Sequence, residues 1–159
     1  MTETLIKPLP FLDLGGMSDE VREEVLAGWE QLTRSQQFVG GDLVTRFEEE
    51  WAEFCGTRYA IGVANGTDAI HLALRAVGIG PGDEVVVPAN TFVATVEAIV
   101  LAGARPRFAD VDDATLLITP EAIEAVLTPA TRAVIAVHLY GQMPDMVAIN
   151  QTAARHGLL

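Results

Sequence analysis

Lysine is almost missing from this chain: of 159 residues one is lysine, Lys7, and ten Lys and Arg together face 22 Asp and Glu. The resulting formal charge of -12, with no cluster of Lys and Arg, excludes a polyanionic partner, because a phosphate backbone would be repelled. Nucleic acid binding is therefore not expected. Cysteine is as scarce. A lone Cys55 cannot close an internal disulfide, which fits a reducing compartment. Its place at the end of a helical pattern, just before Gly56, reads as packing rather than as a reactive thiol. Ser18 and Ser35 are the only serines and have no nucleophile motif around them. His71, His138 and His156 have no metal-ligand spacing. Apolar runs are broken by Gly, Pro or charge before membrane-spanning length, and Met1–Thr4 opens no secretion signal. What remains is half hydrophobic and a fifth charged, the composition of an acidic, cytoplasmic globular domain with a sizeable core.

Two regimes divide the chain. Residues Met1 to Gly16 carry Pro8, Pro10, Gly15 and Gly16 and read as an arm. A helix is expected from the N-cap Ser18, with Val21, Val25, Leu26 and Trp29 on its apolar face. A second, capped by Asp42 after the Gly40-Gly41 turn, carries Leu43, Phe47, Trp51 and Phe54 at helical spacing and ends at Gly56. Glu48, Glu49 and Glu50 read as its solvated face. From Tyr59 onward short apolar runs alternate with helical patterns. Strands are expected at Tyr59–Val63, Glu84–Val87, Arg105–Ala109 and Ala133–Val137, and helices at Thr67–Val77, Thr91–Ala102, after Thr119-Pro120, and at Asp145–His156. Continuous apolar strands indicate burial on both faces of a parallel sheet, so the class is α/β with successive βαβ units. Leu158 and Leu159 read as the first residues of a further strand. The expected division is 1–58, an arm and two helices, and 59–159, an α/β domain.

Chemistry concentrates at two strand-to-helix junctions. Ligands of an open parallel sheet bind at the carboxyl ends of its strands, where the next helix presents free N–H groups. Asn65-Gly66-Thr67 occupies such a place: Gly66 lets an oxyanion approach the backbone, the Thr67 hydroxyl can donate to it, and the helix dipole favours negative charge. Asp68 would compete with an anion and is read as stabilising the helix start. An ordinary Asn-Gly turn with a Thr cap would give the same residues. The second junction, Pro88-Ala89-Asn90-Thr91-Phe92, tips the balance, because Phe92 at the same sheet edge could stack on a flat heteroaromatic ring. Neither a G-x-G-x-x-G fingerprint nor a P-loop is present: Gly78-Ile79-Gly80-Pro81-Gly82 lacks the Lys-Ser/Thr ending.

The runs Val63-Ala64-Asn65-Gly66-Thr67-Asp68-Ala69-Ile70 and Pro81-Gly82-Asp83-Glu84-Val85-Val86-Val87-Pro88-Ala89-Asn90-Thr91-Phe92-Val93-Ala94-Thr95 resemble the DegT/StrS-type sugar aminotransferases. So do Val137-His138-Leu139-Tyr140-Gly141-Gln142 and Asp145-Met146. The resemblance spans the chain from about Pro10 onward. It implies the aspartate aminotransferase fold and a pyridoxal 5′-phosphate (PLP) enzyme, a homodimer of antibiotic or polysaccharide biosynthesis. Such an enzyme moves an amino group from glutamate or glutamine to a keto group of a nucleotide-linked sugar. It further implies that Asn65, Gly66 and Thr67 hold the cofactor phosphate and that Phe92 stacks on its pyridine ring. The His138–Gln142 segment is most similar to members acting at the sugar C3, with Met143 a departure from the small residue or proline expected there.

The same resemblance places an Asp, paired with the pyridine nitrogen, on the strand that should begin at Leu158, and a Schiff-base Lys further on. Neither motif occurs before Leu159, and Lys7 matches no part of the second. The chain is therefore expected to be the N-terminal part of such an enzyme, the first half of its PLP-binding domain, inactive alone and with no catalytic residue or metal ligand assigned. Its alternatives are a PLP-dependent sugar dehydratase of the same superfamily, in which His can replace the Lys, and a non-catalytic protein that binds a full-length paralogue. A nucleotide-binding Rossmann domain ranks last, lacking its fingerprint.

Overall fold

The computed structural model describes residues 10–159, which form two compact units, one reaching to Gly62 and one from Val63 to Leu159. Lys7 and the start of the arm lie outside the described residues. In the first unit, helix α1 runs over Gly15–Ser35 and α2 over Asp42–Cys55. The expected start at Ser18 is corrected to Gly15: the Ser18 amide already donates to Leu14 O at 3.0 Å, and the Asp13 carboxylate accepts from the Gly15 amide at 3.0 Å. Asp13 thus does the work assigned to Ser18, satisfying a first-turn donor that has no helical partner. Asp42 is likewise the first helical residue rather than the cap, a position taken by Gly41 at φ +85°, a conformation open to glycine. Along α2, Phe47 stacks on Trp51 (centroids 5.9 Å) and Trp51 meets Phe54 at 5.4 Å, yet all three remain exposed, and α1 buries no residue. Cys55, expected to pack, is exposed.

The second unit contains α3 (Gly66–Ala76), β1 (Glu84–Pro88), α4 (Val93–Leu101), β2 (Arg105–Ala109), α5 (Pro120–Glu124), β3 (Thr131–Val134), a 3-10 turn at Leu139–Gly141 and α6 (Met146–His156). The three strands are parallel in the order β2-β1-β3. Successive strand side chains point to opposite faces, and β1 shows the consequence. Val85, Val86 and Val87 are all at 0% exposure. Val85 and Val87 join Leu74 of α3 and Ile99 of α4 on one face, while Val86 joins Ile123 of α5 and Ile149 of α6 on the other. Complete burial on both faces holds for β1 alone; β3 buries Ala133 in the first cluster and leaves Val134 half-buried against the second. In the edge strand β2, Arg105 and Phe108 are exposed. Arg155 and His156 of α6 both reach the Glu124 carboxylate of α5, at 2.7 and 3.3 Å, and Arg155 foremost holds that carboxyl below its usual range.

Two expected strands differ. Tyr59–Val63 forms no strand. Apolar content makes a strand only where a neighbour accepts the backbone bonds. No described strand pairs with these residues, the Gly62 amide donates instead to Glu48 Oε1 at 2.6 Å, and Tyr59 and Ile61 stay exposed. The last strand is shifted from Ala133–Val137 to Thr131–Val134. The Ile135 amide still donates to Val86 O at 2.8 Å, but the next bond of a parallel ladder would come from residue 88, a proline with no N–H. Leu159 does begin to pair, donating to Arg132 O at 3.0 Å and accepting from the Val134 amide at 2.9 Å, the two bonds of a parallel bridge opposite Ala133.

No described helix is long and apolar enough to cross a membrane. The exposed aromatic stripe of α2 and the apolar groove lined by Ile70, Ala73, Val77, Ile135 and Leu159 beside the edge of β3 are association hazards. The 159-residue chain produced alone is therefore expected to elute from size exclusion as an oligomer or aggregate. A sharp monomer peak with cooperative unfolding would contradict this.

Candidate functional site

The short turn Val77–Asp83 brings the chain from α3 directly into β1, and Ala89–Phe92 leads from β1 into α4. Both helices therefore run opposite to β1, with their N-termini at its carboxyl edge. Their C-terminal ends confirm the parallel arrangement: a Cβ on Gly103, just past α4, would come within 3.1 Å of Pro81 in the turn after α3. The two junctions singled out by sequence thus share one edge of one sheet. That edge is also where the topology reverses, since β1 leads leftward to β2 while β3 leads through α6 to the bridge at Leu159 on its other side. Such a switch point opens a crevice above the strand ends.

Asn65 is the N-cap of α3. Its Oδ1 accepts from the Asp68 amide at 2.9 Å, and its Nδ2 donates to Asp68 Oδ2 at 3.3 Å. The first bond is the N-cap contact that satisfies a first-turn amide, and the second, between the two side chains, gives Asp68 a part in holding the helix start. With Asp68 and Ala69 amides bonded to Asn65, the amides of Gly66 and Thr67 and the Thr67 hydroxyl have no partner among the described residues. A Cβ on Gly66 would meet nothing within 4 Å, so the space before these donors is open. Two free N–H groups, a hydroxyl and the positive end of an 11-residue helix suit a phosphate monoester.

The expected start of this helix at Thr91 is corrected to Val93, with Phe92 as the N-cap of α4, and Phe92 is 75% exposed, available to a planar ligand. His138 precedes the 3-10 turn beyond β3, on the same edge. In that turn Tyr140 (φ +53°) and Gly141 (φ +82°) both lie in the left-handed region. His71 sits inside α3 and His156 closes α6. No group of three His, Cys, Asp or Glu among the described residues could hold a metal. One contact at this edge was not foreseeable from local sequence: Asn90 Nδ2 donates to Leu116 O at 3.0 Å.

Residues 19–159 match the DegT/DnrJ/EryC1/StrS aminotransferase family. The chain belongs to that family. It is 46% identical over 151 residues to a pleiotropic regulatory protein of Geobacillus stearothermophilus, covering 95% of this chain and 41% of that one. It is 41% identical over 150 residues to the UDP-2-acetamido-2-deoxy-3-oxo-D-glucuronate aminotransferase of Pseudomonas aeruginosa, covering 94% of this chain and 42% of the relative. The crystal structure of NtdA from Bacillus subtilis with bound cofactor PMP superposes with a TM-score of 0.90 at 36% identity, over 96% of this chain and 35% of NtdA. The chain thus spans about two fifths of the length of these relatives. Its fold is the corresponding part of an aspartate aminotransferase-like domain, and the cofactor of the family is PLP.

Because the Asn65 side chain caps α3, Asn65→Ala should cost the first turn about 1 kcal/mol. Amide exchange at Asp68 and Ala69 should then speed up by roughly fivefold, while Asn65→Asp, which keeps an acceptor oxygen, should leave it near the parent rate. Hydrogen-exchange mass spectrometry reads the difference.

Proposed function

We propose that this chain is the N-terminal part of a PLP-dependent aminotransferase that converts a nucleotide-linked keto-sugar to an amino-sugar at C3, with glutamate or glutamine as donor. The observation that carries the reading is the pair of unpartnered amides at Gly66 and Thr67, set at the same sheet edge as Phe92, in a chain of this family. The Gly66 and Thr67 N–H groups and the Thr67 hydroxyl would hold the cofactor phosphate, with Asn65 holding the turn that aims them, and the Phe92 ring would stack on the pyridine. Bound there, PLP supplies an electron sink for the substrate carbon that loses its proton. The chain's own part is to bind and orient, because a phosphate fixed at one end and a ring clamped at its face leave the cofactor little rotational freedom.

We assign residues 1–58 to an arm with two helices and 59–159 to the first half of the PLP-binding domain. The single cysteine and the acidic composition support a cytoplasmic enzyme, and the uncovered apolar faces of α1 and α2 support a homodimer. The C3 assignment draws on the His138–Gln142 segment and on the 3-oxo sugar named for the Pseudomonas aeruginosa relative.

The reading frame beyond Leu159 tests the whole proposal. An Asp-bearing strand followed by a Lys is expected in frame, and a stop codon directly after Leu159 would overturn it. Thr67 has its own test. A hydrogen bond to a charged group contributes about 1.5–3 kcal/mol, so Thr67→Ala in the full-length gene product should weaken pyridoxamine phosphate binding by roughly tenfold or more. Unchanged affinity in a fluorescence titration would remove Thr67 from the phosphate site.

A further inference from the structure

Phe92 cannot fix its own direction. As the N-cap of α4 it has no side-chain oxygen to bond the helix, and no side-chain cap bond forms there. The residue is three-quarters exposed and has little protein against it. Its aim is set by the three residues between β1 and itself, and each of these is tied to a different element. The Ala89 amide donates to Ala109 O at the end of β2 (3.0 Å), and the Thr91 hydroxyl meets that of Thr95, buried in the first turn of α4 (3.0 Å). Asn90, between them, reaches 26 residues along the chain to Leu116 O.

The far end of that tether is unusually well held. Val111 and Ile118 form an antiparallel bridge, and the Asp112 carboxylate accepts from the amides of Ala114 and Thr115 and from the Thr115 hydroxyl. The Asp112 amide donates to Leu117 O, and the Leu116 amide donates to Asp112 O at 2.8 Å. Leu116 itself sits at φ +59°, a region a branched aliphatic occupies only when its surroundings over-determine it. The loop therefore presents the Leu116 carbonyl as a fixed anchor.

We propose that Asn90 is a positioning residue for the Phe92 ring: its bond to Leu116 O locks the β1–α4 junction so that the ring stands where a planar cofactor can stack on it. The inference rests on the reading of this edge as the PLP site. It is separable from folding, because Ala89 and Thr91 keep their own bonds when Asn90 is truncated, and Asn90 is itself exposed.

The test is a double-mutant cycle on the full-length gene product, with pyridoxamine 5′-phosphate as probe. Affinity is read by fluorescence, and the asymmetry of the bound ring by its induced circular dichroism. Asn90→Ala should weaken binding by about threefold to tenfold, the worth of one hydrogen bond, and reduce the induced signal. In a Phe92→Ala background the same substitution should have no further effect on either readout, a coupling that a merely structural role would not produce. If Thr67→Ala weakens binding but Asn90→Ala does not, or adds independently to Phe92→Ala, the positioning role is wrong and the cofactor site stands. If the parent protein does not bind the probe, the cofactor reading fails and takes this inference with it.

Discussion

Everything in the second unit depends on burying β1 from both sides. Three successive valines at 0% exposure cannot be buried by one layer, because alternate side chains leave a strand in opposite directions. Val85 and Val87 require α3 and α4; Val86 requires α5 and α6. Removing roughly a hundred Å² or more of apolar surface per side chain contributes on the order of 2 kcal/mol each, so the helices are held to the sheet by these contacts more than by their own propensities. Once α3 and α4 are committed to one face and to short turns, their N-termini must meet at the carboxyl edge of β1. The site follows from the packing.

How much of this was readable in the sequence varies with the range of the interaction. The run Glu84–Pro88, the caps at Asn65, Thr119 and Asp145, and the left-handed glycines at 56 and 157 are local signals. Sequence reading places their elements to within a residue or two. Tyr59–Val63 has strand-like content and forms none, because pairing is a property of two segments and no described segment accepts its bonds. The shift of β3 has the same origin in another strand: it takes Pro88, on β1, to end the ladder. Ser18 reads as a plausible cap, but α1 starts three residues earlier, where Asp13, just before the N-cap Leu14, takes the Gly15 amide, and composition reveals little of that difference.

The site divides in the same way. Gly66 and Thr67 were legible because a cap, a glycine and a hydroxyl follow one another in the chain, and the free amides are what any helix start leaves. That Phe92 shares their edge required only the alternation of strands and helices. The strand order β2-β1-β3 and its switch point were not legible, since sequence order says nothing of which neighbour a strand takes. Nor was the Asn90 tether, whose partner is a backbone carbonyl in a loop held by Asp112.

A chain of net charge -12 is a poor long-range attractor for a phosphate, so any preference of an anion among its helix starts would be decided at short range. Beyond a Debye length of about 8 Å at physiological salt, the exposed carboxylates are largely screened. Within it, the identity of the cap matters. α6 is capped by Asp145, whose carboxylate takes the Ala148 amide and leaves a negative charge where an anion would sit. α5 has a neutral Thr119 cap but only five residues of helix, too few aligned peptides for a useful dipole. α4 begins at a residue that bonds nothing with its side chain. α3 alone among these combines 11 residues, an uncharged Asn65 cap and two amides left over. Its one opposing charge, Asp68, is bonded to Asn65 Nδ2, so part of that carboxylate's field is met by a donor before it reaches the open space at Gly66.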